Sequence, residues 1–214
     1  MSNKNMFIMG DSISTYEGYM PKGYAPYYGD TMPKGWDMDS VDDTWWRQVV
    51  KRQGYNILIN DSWSGSTICN SIRPQDPKEY TFVRRIDKYI GEGFFENNEI
   101  DTFFVFGVTN DSWRNCPIGE PKYADITEAD LDYVLPAYSY LIDKIKSQKN
   151  IKRIVAIINN ELKPEITDGM IEICKHYELE YVMLHDIEKV SGHPNNVGMA
   201  QIADQVIEVL NKNN

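Results

Sequence analysis

Four residues far apart in the chain could together perform one reaction: Ser12 in Gly10-Asp11-Ser12, Gly65 in DSWSGST, Asn110 in GVTND and His193 in SGHPNN. A serine hydroxyl is a poor nucleophile until a neighbouring imidazole takes its proton. Attack on a carbonyl then builds an oxyanion that needs donors already in place, and losing one donor costs about 3 kcal/mol of barrier stabilisation. The Ser12 amide, the Gly65 amide and the Asn110 side-chain amide would supply three. Ser12, His193, Gly65 and Asn110 are therefore the candidate catalytic set, and the chemistry is acyl transfer through an acyl-serine. Each has a plainer reading as well. Ser12 would serve as a helix cap, Asn110 as a turn residue, and His193, ahead of Pro194, as a boundary residue in extended backbone.

Residues so distant meet only if the fold gathers them at one edge. Apolar runs rich in β-branched and aromatic residues occur at 5–9 (NMFIM), 55–60 (YNILIN), 101–107 (DTFFVFG), 152–158 (KRIVAII) and 180–184 (EYVML). Each is apolar on both faces, as strands of a covered parallel sheet are. Helical patterns lie between them. DDTWWRQVVKRQG has Asp42 or Asp43 as N-cap and Gly54 as stop, and EYTFVRRIDKYIGEG spaces Phe82, Ile86 and Ile90 helically. TEADLDYVLPAYSYLIDKIKSQ opens on a Thr127–Asp130 cap and should bend at Pro136, and KPEITDGMIEICKHYEL and NNVGMAQIADQVIEVLNK complete the set. This alternation predicts a doubly wound three-layer α/β/α sandwich on a five-stranded parallel sheet. Ligands of such sheets gather beyond the carboxyl ends of the strands. Ser12, Gly65 and Asn110 each follow a strand, and His193 stands before the last helix. Glycine at 65 and 107 permits close backbone approach or positive φ.

The order of these motifs resembles the SGNH hydrolase family, the GDSL-type lipases and esterases. Its blocks supply a nucleophilic serine in Gly-Asp-Ser, a glycine, an asparagine in Gly-x-x-Asn and a histidine, matched here by Ser12, Gly65, Asn110 and His193. The resemblance spans nearly the whole chain. It implies a flavodoxin-like fold, hydrolysis of esters or thioesters, and no metal or other cofactor. One departure stands out: the family places an aspartate three residues before the histidine, and here that position is Val190. His193 would then be oriented by a backbone carbonyl, giving a Ser–His dyad, or by Glu188 or Asp186, the two acids in reach along the chain. Asp11, Trp63, Asp111, Trp113 and Asn159 are candidates for the substrate side, although Asp11 also reads as a structural residue binding turn amides. His176 reads as complementing a helix C-terminus and His185 as structural.

The connection at 16–41, YEGYMPKGYAPYYGDTMPKGWDMDSV, is too long and too aromatic for an ordinary or disordered loop. Tyr19, Tyr24, Tyr27, Tyr28 and Trp36 would form a sugar-stacking platform, a satellite core or a contact between copies of the chain. Residues 1–214 suit one domain, and the net charge of −10 disfavours nucleic acid and anionic membrane surfaces as partners. No run reaches the ~18 apolar residues of a membrane helix. Cys69, Cys116 and Cys174 show no ligand spacing and read as reduced thiols, so a cytoplasmic protein is expected. The expected substrate is a small acyl ester of a polar alcohol, an acylated carbohydrate first. The rivals are a thioesterase, lysophospholipase-like or acyltransferase relative, and a carbohydrate-binding protein that has lost turnover. A homo-oligomer is open.

Overall fold

In the computed structural model, which describes residues 4–71, 73 and 75–212, the five apolar runs become five parallel strands. They are β1 (Lys4–Gly10), β2 (Tyr55–Ser62), β3 (Thr102–Phe106), β4 (Ile154–Ile158) and β5 (Glu180–Met183), hydrogen-bonded in the order β2-β1-β3-β4-β5. Alternate side chains leave opposite faces of the sheet. Met6 and Ile8 of β1 pack with Phe104 and Phe106 of β3 in one layer, while Phe7, Met9, Phe103 and Val105 enter the other. Burying each such side chain contributes about 1.5–3 kcal/mol, so both faces of the sheet must be covered.

The first layer is covered by α1 (Trp45–Gln53) and α7 (Asn196–Lys212), the second by α2 (Phe82–Gly91), α5 (Val134–Lys146) and α6 (Pro164–His176). The short helix α3 (Phe94–Asn97) leads into β3. The chain winds from β1 outward to β2 and then back past β1 to β3, so a crevice opens beyond the carboxyl ends of β1 and β3. Two small elements that the sequence pattern did not reveal sit at that crevice. One is the helical turn α4 (Thr109–Trp113). The other is an antiparallel hairpin of β6 (Lys189–Val190) and β7 (His193–Pro194), which pairs Val190 with His193. Ser191 at φ 49° and Gly192 at φ 83° form its two-residue turn, the primed geometry that matches strand twist.

Three local expectations are corrected. The cap of α1 is Thr44, whose Oγ1 accepts from Arg47 N at 3.4 Å, not Asp42 or Asp43. Asp43 instead closes a capping box with Ser40 on the preceding 3-10 turn Val41–Asp43, and Asp42 faces Arg47 and Lys51. The helix expected from Thr127 with a bend at Pro136 is two elements. The Thr127–Asp130 box caps a 3-10 turn, Glu128–Asp132, and α5 begins afresh at Val134. Pro136 thus falls in a first turn, where its missing N–H has no partner to lose. Gly54 ends α1 in the left-handed region as expected, at φ 72°.

The 16–41 connection folds against the first layer. Tyr16, Tyr28, Trp36 and Met38 are buried in that core, with Tyr27 and Met32 partly buried beside them. Among the described residues, no helix is long and apolar enough to cross a membrane.

Candidate active site

β1 ends at Gly10, where nothing larger fits: a Cβ there would lie 2.4 Å from Ser62 Oγ and 2.7 Å from Ser14 Cβ. Asp11 then caps a 3-10 turn, Ser12–Ser14, its Oδ1 accepting from Ile13 N at 3.0 Å. The indoles of Trp45 and Trp46 brace this turn from α1, donating to Ser14 Oγ and Ser14 O at 3.1 and 3.0 Å. On it stands Ser12, with Oγ 2.8 Å from His193 Nε2 across 181 residues of sequence, and both side chains are buried.

Gly65 occupies the turn after β2 at φ 84°, a conformation only glycine adopts without strain. The amides of Ser12 and Gly65 make no hydrogen bond among the described residues. Asn110 is on α4, and its Nδ2 donates one hydrogen to Ser66 O at 3.0 Å, leaving the second for a ligand. The entry to α4 is tight. A Cβ on Gly107 would lie 2.6 Å from Phe82 Cζ, and Val108 is held at φ 74°, rare for a β-branched residue. Strain of this kind, on the order of 1–3 kcal/mol, tends to sit where a side chain must be aimed.

The remaining candidates divide. Trp113 is 44% exposed and sets its ring 5.4 Å from that of His193, at the mouth of the site. Trp63, next to the Gly65 turn, is half-buried and stacks on Tyr24 at 4.0 Å. Asp11, Asp111 and Asn159 are not surface groups awaiting substrate. Asp11 is fully buried as a turn cap, and burial pushes its carboxyl up to about 7 despite the Ile13 amide and the Thr109 hydroxyl, which favour the anion. Asp111 accepts from the amides of Ile68 (2.9 Å) and Cys69 (3.2 Å), tying α4 to the loop that carries Gly65, and burial raises its carboxyl too. Asn159 is buried, donates to Thr109 Oγ1 at 3.1 Å and accepts from Lys189 Nζ at 3.4 Å. The sequence spacing of Cys69 and Cys116 hid their proximity: both sulfurs and an Asp111 oxygen lie within 4.8 Å of one another. These are the donors a metal would find here, but the Asp111 oxygens are already engaged by backbone amides.

The family described as GDSL-like lipase/acylhydrolase matches the chain over residues 4–210. The chain belongs to that family. It is a carboxylic ester hydrolase. A protein described as a GDSL-like lipase from Bacteroides ovatus is 37% identical, with a TM-score of 0.88 over 99% of this chain and 100% of its own. One from Bacteroides uniformis gives 37% and 0.88 over 98% and 96%. At 10% identity a carbohydrate acetylesterase family member from Sinorhizobium meliloti shares the fold, with a TM-score of 0.63 over 98% of each chain. No curated protein matches significantly.

In this GDSL-type hydrolase, neither acid reaches the histidine. Asp186 is exposed and pairs with His185 Nδ1 at 2.9 Å, and Glu188 accepts from Asn195 Nδ2 at 2.6 Å. His193 Nδ1 is buried without a hydrogen bond of good geometry, and the Ser191 backbone alone biases the ring towards its charged form. Burial outweighs that bias and, helped by the Lys189 charge, lowers the imidazole to about 4. His176 ends α6 and stacks on Tyr123 at 3.7 Å, away from the site.

Two contacts escaped the sequence reading. Tyr27, one of several tyrosines in its loop, stacks on His193. Arg85 makes a fully buried ion pair with Asp61 at 2.7 Å, and donates to Gly10 O and to Ser66 Oγ at 3.2 Å each. It thereby fastens the end of β1 to the Gly65 turn. The signal was present: Arg85 lies three residues after Phe82 and four before Tyr89, on the apolar face of its helix, where a solvated charge does not belong.

Proposed function

We propose that this hydrolase removes a small acyl group from a polar alcohol, an acylated carbohydrate being the preferred class, with Ser12 as nucleophile and His193 as base. The observation that carries the reading is the 2.8 Å approach of Ser12 Oγ to His193 Nε2. As Ser12 Oγ bonds to the ester carbon, its proton passes to His193 Nε2, and the carbonyl oxygen takes up negative charge facing the amides of Ser12 and Gly65 and the free hydrogen of Asn110 Nδ2. Collapse of this intermediate expels the alkoxide, which His193 protonates. Water, deprotonated by the same imidazole, then attacks the acyl-serine and restores both side chains.

The substrate class rests on the rim. Trp113 stands beside His193 and the Tyr24–Trp63 stack lies next to the Gly65 turn, and flat aromatic surfaces of this kind suit the CH faces of a pyranose. A panel of p-nitrophenyl esters from acetate to decanoate, run beside acetylated sugars, tests this. Turnover should be greatest on acetate, fall with chain length and vanish in Ser12→Ala. Activity that rises towards decanoate would replace a polar substrate with a lipid, and turnover that survives Ser12→Ala would remove Ser12 from the mechanism.

A further inference from the structure

The histidine of this enzyme lacks the carboxylate that its family supplies, and the 16–41 connection, which is unusually long, ends its course on the same side chain. Val190, at the family's acid position, pairs with His193 across the hairpin and offers Nδ1 nothing. Tyr27 lies flat on the imidazole, ring centroids 3.7 Å apart and planes 7° from parallel. Its place is set from the nucleophile's side of the site: Tyr27 N donates to Thr15 Oγ1 at 2.8 Å, and that hydroxyl donates to Ser12 O at 2.8 Å. The same loop also fastens the backbone after His193. Tyr28 OH donates to Pro194 O at 2.8 Å, and Asn196 N donates to Trp36 O at 3.0 Å.

We propose that Tyr27 is a positioning residue that takes over from the missing carboxylate, a proposal that rests on the reading of Ser12 and His193 as nucleophile and base. Two physical effects follow from the stack. Contact over a whole ring face restricts rotation of the imidazole, so Nε2 stays aimed at Ser12 Oγ although Nδ1 has only the poorly aligned Ser191 backbone beside it. The second effect is electrostatic. When Ser12 Oγ bonds to the acyl carbon and its proton moves to Nε2, the ring becomes a cation, and a cation within ~6 Å of a tyrosine face is attracted by the ring quadrupole. The neutral imidazole of the resting enzyme has no such attraction, so the interaction is stronger in the transition state than in the ground state, which is the condition for catalysis. The Tyr27 hydroxyl makes no hydrogen bond among the described residues, so it is the ring face that serves.

The test exchanges Tyr27 for phenylalanine, for phenylalanines of increasing ring fluorination, and for leucine. It reads kcat on p-nitrophenyl acetate together with the NMR titration of His193, one of three histidines in the chain. Fluorination keeps the shape of the ring and drains charge from its face, so a residue that merely filled space would show no trend. Tyr27→Phe should remain within about threefold of the parent, kcat should fall stepwise with each fluorine, and Tyr27→Leu should lose roughly 10- to 100-fold. Adding Val190→Asp to Tyr27→Leu should recover much of that loss, because it returns a carboxylate to the residue paired with His193. The His193 midpoint should fall stepwise with fluorination as the imidazolium loses its partner. The other groups beside it, the Ser191 backbone, the Lys189 ammonium and the rings of Tyr28, Trp36 and Trp113, are the same throughout the series. A kcat and a midpoint both indifferent to fluorine count would overturn the proposal, and the fluorinated series decides the matter even if Tyr27→Leu fails to fold. Turnover persisting in Ser12→Ala would instead overturn the assignment of the nucleophile, while the midpoint would still report on Tyr27.

Discussion

At the scale of single residues, the imidazole of His193 sets the working range of the enzyme. Burial among Tyr27, Trp36 and Trp113 lowers it to about 4, well under the ordinary histidine value of 6.5. A general base acts only when unprotonated. The acid limb of kcat/KM should therefore stay flat down to about pH 5 and fall with a midpoint near 4, where an ordinary histidine would begin failing near 6.5. A pH–rate profile on a neutral ester checks this, and a midpoint above 6 would show that the ring is wetter than its burial implies. Val190→Asp alone should move the midpoint up, because a carboxylate at the paired position favours imidazolium. A midpoint unmoved by that substitution would mean that residue 190 does not address Nδ1.

At the scale of elements, the nucleophile turn and the oxyanion turn are separate loops, and Arg85 joins them from α2. A buried pair such as Arg85–Asp61 contributes little net stability while intact, but removing one partner strands a charge in the core and costs about 3–5 kcal/mol. Arg85→Met should show that loss in urea denaturation, and kcat should fall as well because Gly10 O and Ser66 Oγ lose their common donor. The double variant Arg85→Met/Asp61→Leu should recover stability relative to the single one. If it is the less stable of the two, the pair is a net contributor after all. Thr44→Ala gives a contrast from the opposite layer: it removes the α1 cap, should cost about 1 kcal/mol and should leave kcat/KM unchanged. The five strands were legible because a short, continuously apolar run rich in β-branched and aromatic residues suits a strand buried on both faces, whereas the cap of α1 was not. Ser40, Asp42, Asp43 and Thr44 are all competent caps, and only the 3-10 turn at Val41–Asp43 decides among them. Pro136 misled for a similar reason: its effect depends on where the helix begins, and that is fixed by packing around Val134, not by the local pattern.

At the scale of the whole molecule, a common edge for Ser12, Gly65, Asn110 and His193 could be expected from the sequence because each follows a strand or precedes a helix, and the order of strands carries them to the same end of the sheet. For Asn159 and Asp111, position after a strand says which edge a residue occupies but not how its side chain is engaged there, and both side chains turn out to be buried and hydrogen-bonded within the protein. Tyr27 was hidden among tyrosines of equal promise, since stacking on His193 depends on the path of a loop without regular structure. The fold's tolerance of buried charge leads to a last prediction. Asp11 is raised from 3.8 to about 7, so between those values the folded chain holds a proton that the unfolded chain has lost. Its contribution is complete below the unfolded value and is lost as pH rises towards 7. His193, lowered from 6.5 to about 4, runs the other way: the unfolded chain binds its proton first, so stability rises with pH between those values. The two offset each other through mildly acidic pH, and above pH 7 only the cost of the buried Asp11 anion remains. Asp11→Asn keeps the acceptor for Ile13 N and removes that charge. The variant should melt higher than the parent at pH 8, by an amount corresponding to a few kcal/mol at roughly 1.4 kcal/mol per pKa unit. The difference should shrink towards zero near pH 4, where both side chains are neutral. Equal melting temperatures at pH 8 would mean that the carboxylate is ionised at little cost in the fold, with the Ile13 amide and the Thr109 hydroxyl compensating fully for its burial.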